Sequence, residues 1–199
     1  MTDIVPTRSA LMELRDEQLV MREGHAFLDE KRVLLANEIV KQLKRYEVLM
    51  REFRSHYAEA RASLRRAVQR HGLEGLSTYP AAVSPGRFRQ QRRGLLGVLL
   101  QEAHLDIDEA RQSQADLATP EGEQCKTTFR LVLEDIAALA AVTANLKRLY
   151  REYRRTERRT RALEDVIIPE LSERIKAIGD VLEAQELEEA VRVRYRLNR

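Results

Sequence analysis

The chain has 199 residues, of which 34% are charged and 5% aromatic, with eight Gly, five Pro and no Trp. Basic residues exceed acidic ones by only three and the two signs are interspersed, which excludes a strong overall field for nucleic acid. The apolar fraction of 43% excludes a disordered chain, and the abundance of Ala, Glu, Lys, Leu and Arg is typical of long or coiled helices. An all-α fold with a long, thin core is therefore expected.

The sequence also bounds where the protein works. No apolar run approaches the roughly 20 residues needed to cross a bilayer, and the N-terminus lacks the apolar core of a signal peptide. The single cysteine, Cys125, cannot form an intramolecular disulfide, which fits a reducing compartment. We expect a soluble cytoplasmic protein without direct membrane insertion.

A first long helix is predicted in residues 1–71. Thr7 or Ser9 can cap its start, and no helix breaker occurs between Gly24 and Gly72. Two interleaved seven-residue series have the alternating three-and-four spacing of a left-handed coiled-coil seam. One series is Leu14, Met21, Leu28, Leu35, Gln42 and Leu49, and the other is Leu11, Gln18, His25, Arg32, Ile39, Tyr46, Phe53, Ala60 and Ala67. A further apolar line on a different face predicts an additional partner and comprises Val20, Phe27 and Leu34.

Residues 72–122 differ in kind, because they hold six of the eight glycines and three of the five prolines. We interpret them as a small head inserted between two helices. Within it, the stretch from Arg93 to Asp108 combines an apolar run with alternation at Leu105 and Ile107. A short β-hairpin is predicted there, with a short helix as the alternative that periodicity alone does not exclude.

A second long helix is predicted in residues 123–199, antiparallel to the first. Its expected seam is Val132, Ile136, Leu139, Thr143, Leu146, Tyr150, Tyr153, Glu157, Thr160, Leu163 and Ile167. Proline is rare inside helices because its ring removes a donor and clashes with the carbonyl four residues back. Apolar spacing nevertheless continues past Pro169, through Leu171, Ile175, Ile178 and Leu182. The helix is therefore expected to bend at Pro169 and continue.

The breaks at the two ends of the head predict a register for the helix pair. If these breaks face each other, paired positions across the two helices sum to about 196. Arg32 would then lie opposite Glu164, and Lys31 opposite Asp165, so that a carboxylate partners the buried charge. The alternative is that Lys31 and Arg32 point outward to acidic residues of a binding partner.

No motif for catalysis or cofactor binding is found. The chain has no Walker A loop, no G-x-G-x-x-G and no H-E-x-x-H, and Cys125 has no His-containing constellation around it in the sequence. His104, Asp106 and Asp108 would share one face of a strand. Three such residues without a second cluster are more typical of the solvated face of a hairpin than of a metal site.

A basic run could contact phosphates and comprises Arg151, Arg154, Arg155, Arg158, Arg159 and Arg161. Glu152 and Glu157 interrupt the run, and no helix-turn-helix, zinc-finger or RNP signature accompanies it. A solvated helix face is favoured, and an arginine collar that slides against acidic neighbours is the third interpretation.

Motifs at both ends of the chain resemble the D subunit of V-type (vacuolar or archaeal-type) rotary ATPases. Near the N-terminus, Pro6-Thr7-Arg8 followed by Leu11, Gly24, Leu28 and Lys31-Arg32 is similar to the family pattern P-T-R-x-x-L…G…L-x-x-K-R. Near the C-terminus, Arg158-Arg159, Ala162-Leu163-Glu164 and Val166-Ile167-Ile168-Pro169 are similar to R-R-x-x-A-L-E-x-V-[IV]-I-P. RGLLGV, from Arg93 to Val98, resembles the R-N-x-x-G-V that precedes the family's hairpin strand. The resemblance covers nearly the whole chain.

This resemblance implies a non-catalytic rotor shaft that couples ATP hydrolysis or synthesis to H⁺ or Na⁺ transport. The implied partners are the catalytic and regulatory subunits of a surrounding ring, a small F subunit, and a funnel-shaped subunit on the membrane ion ring. No cofactor, metal or nucleic acid is implied. The alternative is a stand-alone coiled-coil scaffold or a nucleic-acid-associated protein.

Two sets of residues are the candidates for contact. Those for contact with the ring, or for fixing the register, are Arg8, Lys31, Arg32, Arg158, Arg159, Glu164, Asp165 and Pro169. Those for contact between the head and partner subunits are Gly97, Val98, Leu105 and Ile107.

Overall fold

The computed structural model describes residues 5–77, 79, 87–106 and 119–197. Helices make up 86% of these residues, and a two-stranded antiparallel hairpin lies between the two long helical segments, so the predicted fold is confirmed. The elements are α1 (Arg8–Ser77), β1 (Arg87–Leu95), β2 (Val98–Asp106), α2 (Pro120–Ala162), a π-helical turn (Leu163–Ile167) and α3 (Ile168–Leu197).

The chain divides into two compact units. The terminal unit contains residues 1–34 and 153–199, and the central unit contains residues 35–152. The divisions fall inside α1 and α2, so each unit contains a stretch of the N-terminal helix and a stretch of the C-terminal one.

Helix α1 begins as predicted at a threonine cap. The Thr7 hydroxyl accepts a hydrogen bond of 3.1 Å from the amide of Ala10, which satisfies one of the free donors in the first turn. Gly72 has non-helical dihedral angles, φ 68° and ψ 172°, so the helix is interrupted where the break was predicted. A further helical stretch nevertheless continues to Ser77. The left-handed φ explains why glycine occupies this position.

The predicted seam of α1 is confirmed by burial. Every member of both seven-residue series from Leu11 to Ala67 is buried or half-buried. The fully buried members change in size along the helix: Leu35 is fully buried near its middle, and the small residues Ala60 and Ala67 are fully buried nearer its C-terminal end. Ser63 lies between Ala60 and Ala67 in the sequence. Its hydroxyl is 2.8 Å from the hydroxyl of Thr128 on α2.

Helix α2 begins three residues before the predicted start. Pro120 occupies the first turn, where its missing N–H is not needed, and the Thr119 hydroxyl accepts a hydrogen bond of 3.3 Å from the amide of Gly122. Glu121 and Glu123 add negative charge at the positive end of the helix dipole.

The predicted seam of α2 is wrong at Ile136 and Tyr150. Ile136 and Tyr150 are 46% and 57% exposed, while Val142 and Leu149 are buried. The seam positions in the structure are Thr128, Val132, Asp135, Leu139, Val142, Leu146, Leu149, Tyr153, Thr156 and Thr160, all buried or half-buried. At Ile136 the prediction favoured an apolar side chain because the residue that occupies the seam, Asp135, is polar.

The core of the terminal unit joins α1 to α3. Leu14, Leu171 and Ile178 are buried together. Partly buried side chains that pack against them are Leu11, Met21, Ile167, Ile175 and Leu182. The apolar spacing that predicted continuation of the helix past Pro169 therefore corresponds to a packed core.

The helix passes Pro169 by means of the π-helical turn. Ala162 and Ile168, which flank the turn, both have ordinary helical dihedral angles, and the amide of Ile168 donates to the carbonyl of Leu163, five residues back. The widened turn precedes a residue that cannot donate and whose ring crowds the carbonyl four residues back. Continuation through Pro169 is confirmed. A bend at Pro169 stays a prediction.

The predicted Arg32–Glu164 pair is wrong. Arg32 binds Asp29 on its own helix at 2.6 Å, and Glu164 lies 3.7 Å from His25. The pairs His25–Glu164 and Gln18–Ser172 have residue numbers that sum to 189 and 190, so the register is shifted by about two turns of a helix from the predicted sum. The prediction assumed that the breaks at the two ends of the inserted segment face each other. The length of that segment does not determine which residues of the two helices meet.

The β-hairpin is confirmed in type but corrected in position. Its turn is Leu96-Gly97, and the first strand comes from the polar stretch Arg87–Leu95 rather than from residues after Arg93. The strand was missed because all of its residues except Leu95 are exposed, so no apolar alternation marks it.

Three glycine substitutions test the packing at the helix starts and interiors. A Cβ on Gly122 would collide with the Tyr79 ring, whereas a Cβ on Gly24 or Gly179 meets nothing within 4 Å. Gly122→Ala should lower stability by about 1–3 kcal/mol because the site is already filled. Gly24→Ala and Gly179→Ala should each raise it by up to about 1 kcal/mol because helical glycine is entropically costly. Thermal unfolding monitored by circular dichroism measures all three.

The matched control is Gly122→Ala in a Tyr79→Ala background. Removing the ring should abolish the cost of the added methyl group. A cost that persists in the double variant would contradict the proposed collision.

Candidate functional site

The hairpin is closed by a two-residue turn with an uncommon backbone. Leu95 pairs with Val98, and the intervening Leu96 and Gly97 have φ of 50° and 85°. Two positive φ values are the requirement of the tight hairpin turn whose twist matches the strands. Gly97 meets this requirement without strain, whereas Leu96 adopts a conformation that is rare for a residue with a Cβ.

Side chains of α2 close the outer edge of β2. The Asn145 side chain accepts a hydrogen bond from the Gln101 amide at 2.8 Å and donates one to the Gln101 carbonyl at 2.7 Å. Arg148 donates to the Leu99 carbonyl at 3.1 Å and to the Gln101 side chain at 3.1 Å. Asn145 is 2% exposed. We call its two bonds to Gln101 the Asn145 clamp, because together they take the place of a neighbouring strand.

Asn145, which forms the clamp, lies on a second buried face of α2. Ala137 and Ala141 are buried and precede Asn145 at intervals of four residues, so the three share one stripe of the helix. Small side chains on this stripe allow a strand to approach closely. Val98, Leu100 and Ala103 are the buried residues of β2.

Helix α1 holds the hairpin through ion pairs. Arg45 donates to Glu102 at 2.8 Å, and Arg93 lies 3.7 Å from the largely buried Glu38. These groups line a cavity of about 330 Å³ between α1, the hairpin and Asn145. Gln42 also lines it; its amide donates to Glu38 at 2.8 Å, and its buried oxygen has no hydrogen-bond partner among the described residues.

The electrostatics of the central unit lower the pKa of two carboxyl groups. The pKa of Glu102 is lowered from its usual 4.5, first by the hydrogen bond and charge of Arg45 and less by His104 and Arg93. The pKa of Glu121 is lowered by its backbone hydrogen bond at the start of α2, then by the hydrogen bond to His71 and by the charge of Arg70. Arg70 contacts Glu121 at 2.6 Å and His71 contacts it at 3.2 Å.

The predicted head candidates differ in burial. Gly97 is exposed in the turn, Val98 is buried and Leu105 is half-buried. Ile107 lies outside the described residues. Among the three candidates that the structure describes, Gly97 is the most exposed and Val98 is closed to a partner.

The structure spreads the predicted ring-contact and register candidates along the terminal unit. Arg8 contacts Glu186 at 2.5 Å, and both side chains are mostly exposed. Lys31 and Arg32 are half-buried. Exposed candidates are Arg158, Arg159, Glu164, Asp165 and Pro169. These residues do not converge on one site.

The remaining sequence candidates carry no visible chemistry. Asp106 is bound by Arg89 at 2.5 Å, and Asp108 lies outside the described residues. No group of three or more His, Cys, Asp or Glu in the described ranges has metal-binding geometry. Arg154 and Arg161 both contact Glu157 within the helix, at 3.6 Å and 2.8 Å, and the whole arginine run is exposed.

Comparison with known proteins decides the family. The family model that describes the D subunit of ATP synthase matches residues 10–195. The chain belongs to the family of ATP synthase D subunits. It is 30% identical over 195 residues to the V-type ATP synthase D subunit of Thermotoga neapolitana, covering 96% of this chain and 95% of that one. It is 32% identical over 196 residues to the A-type ATP synthase D subunit of Thermococcus sibiricus, covering 96% and 92%.

A third relative extends the range of organisms in which such D subunits occur. One of the V-type ATP synthase D subunits of Treponema pallidum, numbered 2, is 30% identical over 190 residues, covering 94% of this chain and 90% of the relative. Within the described part of the chain, no helix combines the length and apolarity that crossing a membrane requires.

Sequence reasoning missed Asn145, Arg148 and Glu38, which hold the hairpin. A signal for Asn145 was present in the sequence. Ala137, Ala141 and Asn145 follow one another at intervals of four residues, so they lie on one face of a helix. Such a series indicates a second, closely packed face. The acceptor, Gln101, could not be inferred, because the strand phase depends on the turn.

The Asn145 clamp can be tested by substitution. Asn145→Leu leaves the Gln101 amide and carbonyl without partners, and each unpaired group costs about 1–3 kcal/mol where it is desolvated. We expect a loss of about 2–4 kcal/mol in stability and faster hydrogen exchange at the Gln101 amide. Lys147→Leu, at an exposed position of the same helix, is the control and should change stability by less than about 0.5 kcal/mol.

The Arg45–Glu102 pair predicts an acid sensitivity. Because the folded-state pKa of Glu102 is lowered from 4.5, its contribution to stability is present above that pH and is lost as pH falls through the lower, folded-state value. Glu102 is 51% exposed, so the effect should be small and weakened by salt. Denaturant unfolding between pH 3 and 6 should show a smaller acid loss for Glu102→Gln and for Arg45→Gln. Unchanged acid dependence in both variants would contradict this role.

Proposed function

We propose that this chain is the central stalk subunit of a V-type or A-type rotary ATPase. In this proposal it turns inside a ring of catalytic and regulatory subunits and couples ATP hydrolysis or synthesis to ion transport across the membrane. The observation that carries the proposal is the family match over residues 10–195. The shaft itself is non-catalytic and lies on the cytoplasmic side.

The polar contacts of the helix pair support a mechanical role. In the central unit, His56 lies 2.7 Å from Asp135, and Ser63 lies 2.8 Å from Thr128. A shaft that transmits torque needs helices that do not slide along each other. Polar pairs that match in one register only oppose such sliding more specifically than a uniform apolar seam.

The surface of the terminal unit supports insertion into a ring. Val20, Phe27 and Leu34 are 60%, 64% and 45% exposed, so they are not part of the buried seam of α1. Further exposed apolar side chains lie near the end of α3, namely Leu187, Val191, Val193, Tyr195 and Leu197. Apolar side chains exposed in such numbers mark an interaction surface. Arg158 and Arg159 would supply hydrated contacts that can slide past acidic neighbours.

The hairpin and the adjacent helices would face the remaining partners. In this proposal they contact the small F subunit and the funnel-shaped subunit on the ion ring. The tight attachment of β2 to α2 by the Asn145 clamp supports this role, since a surface that docks another subunit is more effective when it is held in place.

Co-purification with matched variants tests the proposal. An affinity-tagged chain expressed in its native host should recover the subunits of the ATPase ring and stalk. Phe27→Glu should leave the melting temperature of the free chain nearly unchanged, because the side chain is exposed, but should lower recovery of ring subunits several-fold. Leu14→Glu, at a buried seam position, should instead destabilise the free chain.

Recovery of no ATPase subunit with the unmodified chain would overturn the proposal and favour a stand-alone scaffold. Full recovery with Phe27→Glu would contradict the assignment of this surface to the ring.

A further inference from the structure

The two outer edges of the hairpin differ. The edge of β2 is closed by Asn145 and Arg148. The edge of β1 has no hydrogen-bond partner among the described residues, and every residue from Arg87 to Gly94 is exposed. An open strand edge is a template for a further strand.

The Asn145 clamp shows which backbone groups of β1 point outward. Gln101 gives both its N–H and its C=O to Asn145, so these groups face away from β1. In an antiparallel ladder the residue opposite such a position is also unbonded within the pair and directs its groups outward. Gln101 pairs with Arg92, and the same phase places Gln90 opposite Ala103 and Phe88 opposite Leu105. The amides and carbonyls of Phe88, Gln90 and Arg92 therefore form the open edge.

The charge of β1 restricts what can bind there. The strand carries four arginines, at 87, 89, 92 and 93, and no acidic residue. Asp106 partners Arg89, and Glu38 is 3.7 Å from Arg93. Arg87 and Arg92 have no ion-pair partner in the ranges that the structure describes. A second copy of β1 would bring arginines against arginines, which disfavours edge-to-edge pairing of two identical chains.

We propose that the β1 edge docks an extended acidic segment of a partner subunit, which adds a third strand to the hairpin. Main-chain hydrogen bonds to Phe88, Gln90 and Arg92 supply the binding, and carboxylates that meet the arginines supply the selectivity. Phe88, which is 53% exposed, gives the strand an apolar contact. The inference deepens the proposed function, on which it rests for the existence of a partner subunit.

Residue-resolved hydrogen exchange tests the inference directly. The free chain and the purified ATPase complex that contains it are compared. The amides of Gln90 and Arg92 should exchange fast in the free chain and at least about tenfold more slowly in the complex. The amides of Gln91 and Arg93, which face β2, should be protected in both states and serve as the internal reference.

Two variants separate the backbone contribution from the charge contribution. Gln90→Pro removes an outward amide that the hairpin itself does not use, and proline is tolerated at such an edge. It should reduce retention of the complex about tenfold, whereas Gln90→Ala, which keeps the amide, should not. Arg87→Glu with Arg92→Glu should reduce retention similarly. The same double reversal at the exposed residues Arg65 and Arg66 of α1 is the matched control and should have a smaller effect.

Each outcome bears on the inference. Protection of Gln90 and Arg92 in the free chain at all concentrations would mean that residues 107–118 of the same chain cover the edge, and protection that rises with concentration would mean a second copy. Either result overturns the inference. Open amides in an intact complex overturn it and leave the proposed function standing. Failure to recover any complex overturns both. Protection that survives the arginine reversals overturns the acidic character of the segment.

Discussion

The structure depends on polar side chains that meet across the seam between its two long helical segments. His56–Asp135 and Ser63–Thr128 join α1 to α2 in the central unit. Gln18 bonds Ser172 at 2.7 Å in the terminal unit. An apolar seam alone can slip by one heptad and remain apolar, but a slip of that size would separate every one of these pairs. The pairs therefore specify register more than they add stability.

The small residues of α1 and α2 allow close packing, both between the two helices and between α2 and the hairpin. Where Ala60, Ser63 and Ala67 are buried, the helices pack through short side chains, and the hydroxyl of Ser63 also donates to the carbonyl of Ala60 at 2.8 Å. On α2, Ala137 and Ala141 prepare a second face for the hairpin. Helix α2 therefore packs against α1 with one stripe of residues and against the hairpin with another. The hairpin is therefore attached to α2, the helix whose polar side chains fix the register with α1.

Much of the fold could be predicted from the sequence, and the limits have physical causes. The seam of α1 was predictable because its period is regular even where Gln18, His25 and Arg32 occupy it. The seam of α2 was wrong at Ile136 because the polar Asp135 occupies the seam position beside this apolar residue. Asp135 is partnered by His56 on the other helix, and a single helical pattern does not reveal such a partner. Continuation past Pro169 was predictable from spacing; the π-helical turn that precedes it was not.

The candidate site was less predictable than the fold. Gly97 was predicted from the resemblance of RGLLGV to the family motif, and the structure shows why glycine stands there: the tight turn needs a residue that tolerates positive φ. β1 could not be predicted, because a strand of exposed arginines and glutamines has no apolar alternation, and its pairing is fixed by the turn. The predicted Arg32–Glu164 pair failed for a similar reason. Register is a property of two segments together, and the chain between them does not fix it.

The measurement that tests the account most directly is ATP-driven ion pumping by a motor whose two helices are covalently joined. Ser63→Cys and Thr128→Cys, in a Cys125→Ser background, place two thiols where hydroxyls lie 2.8 Å apart, a separation that requires little movement for a disulfide. If the helices turn as one unit in a fixed register, the oxidised motor should pump at the rate of the same motor after reduction. A disulfide that fails to form, or one whose formation stops pumping reversibly, would contradict the account.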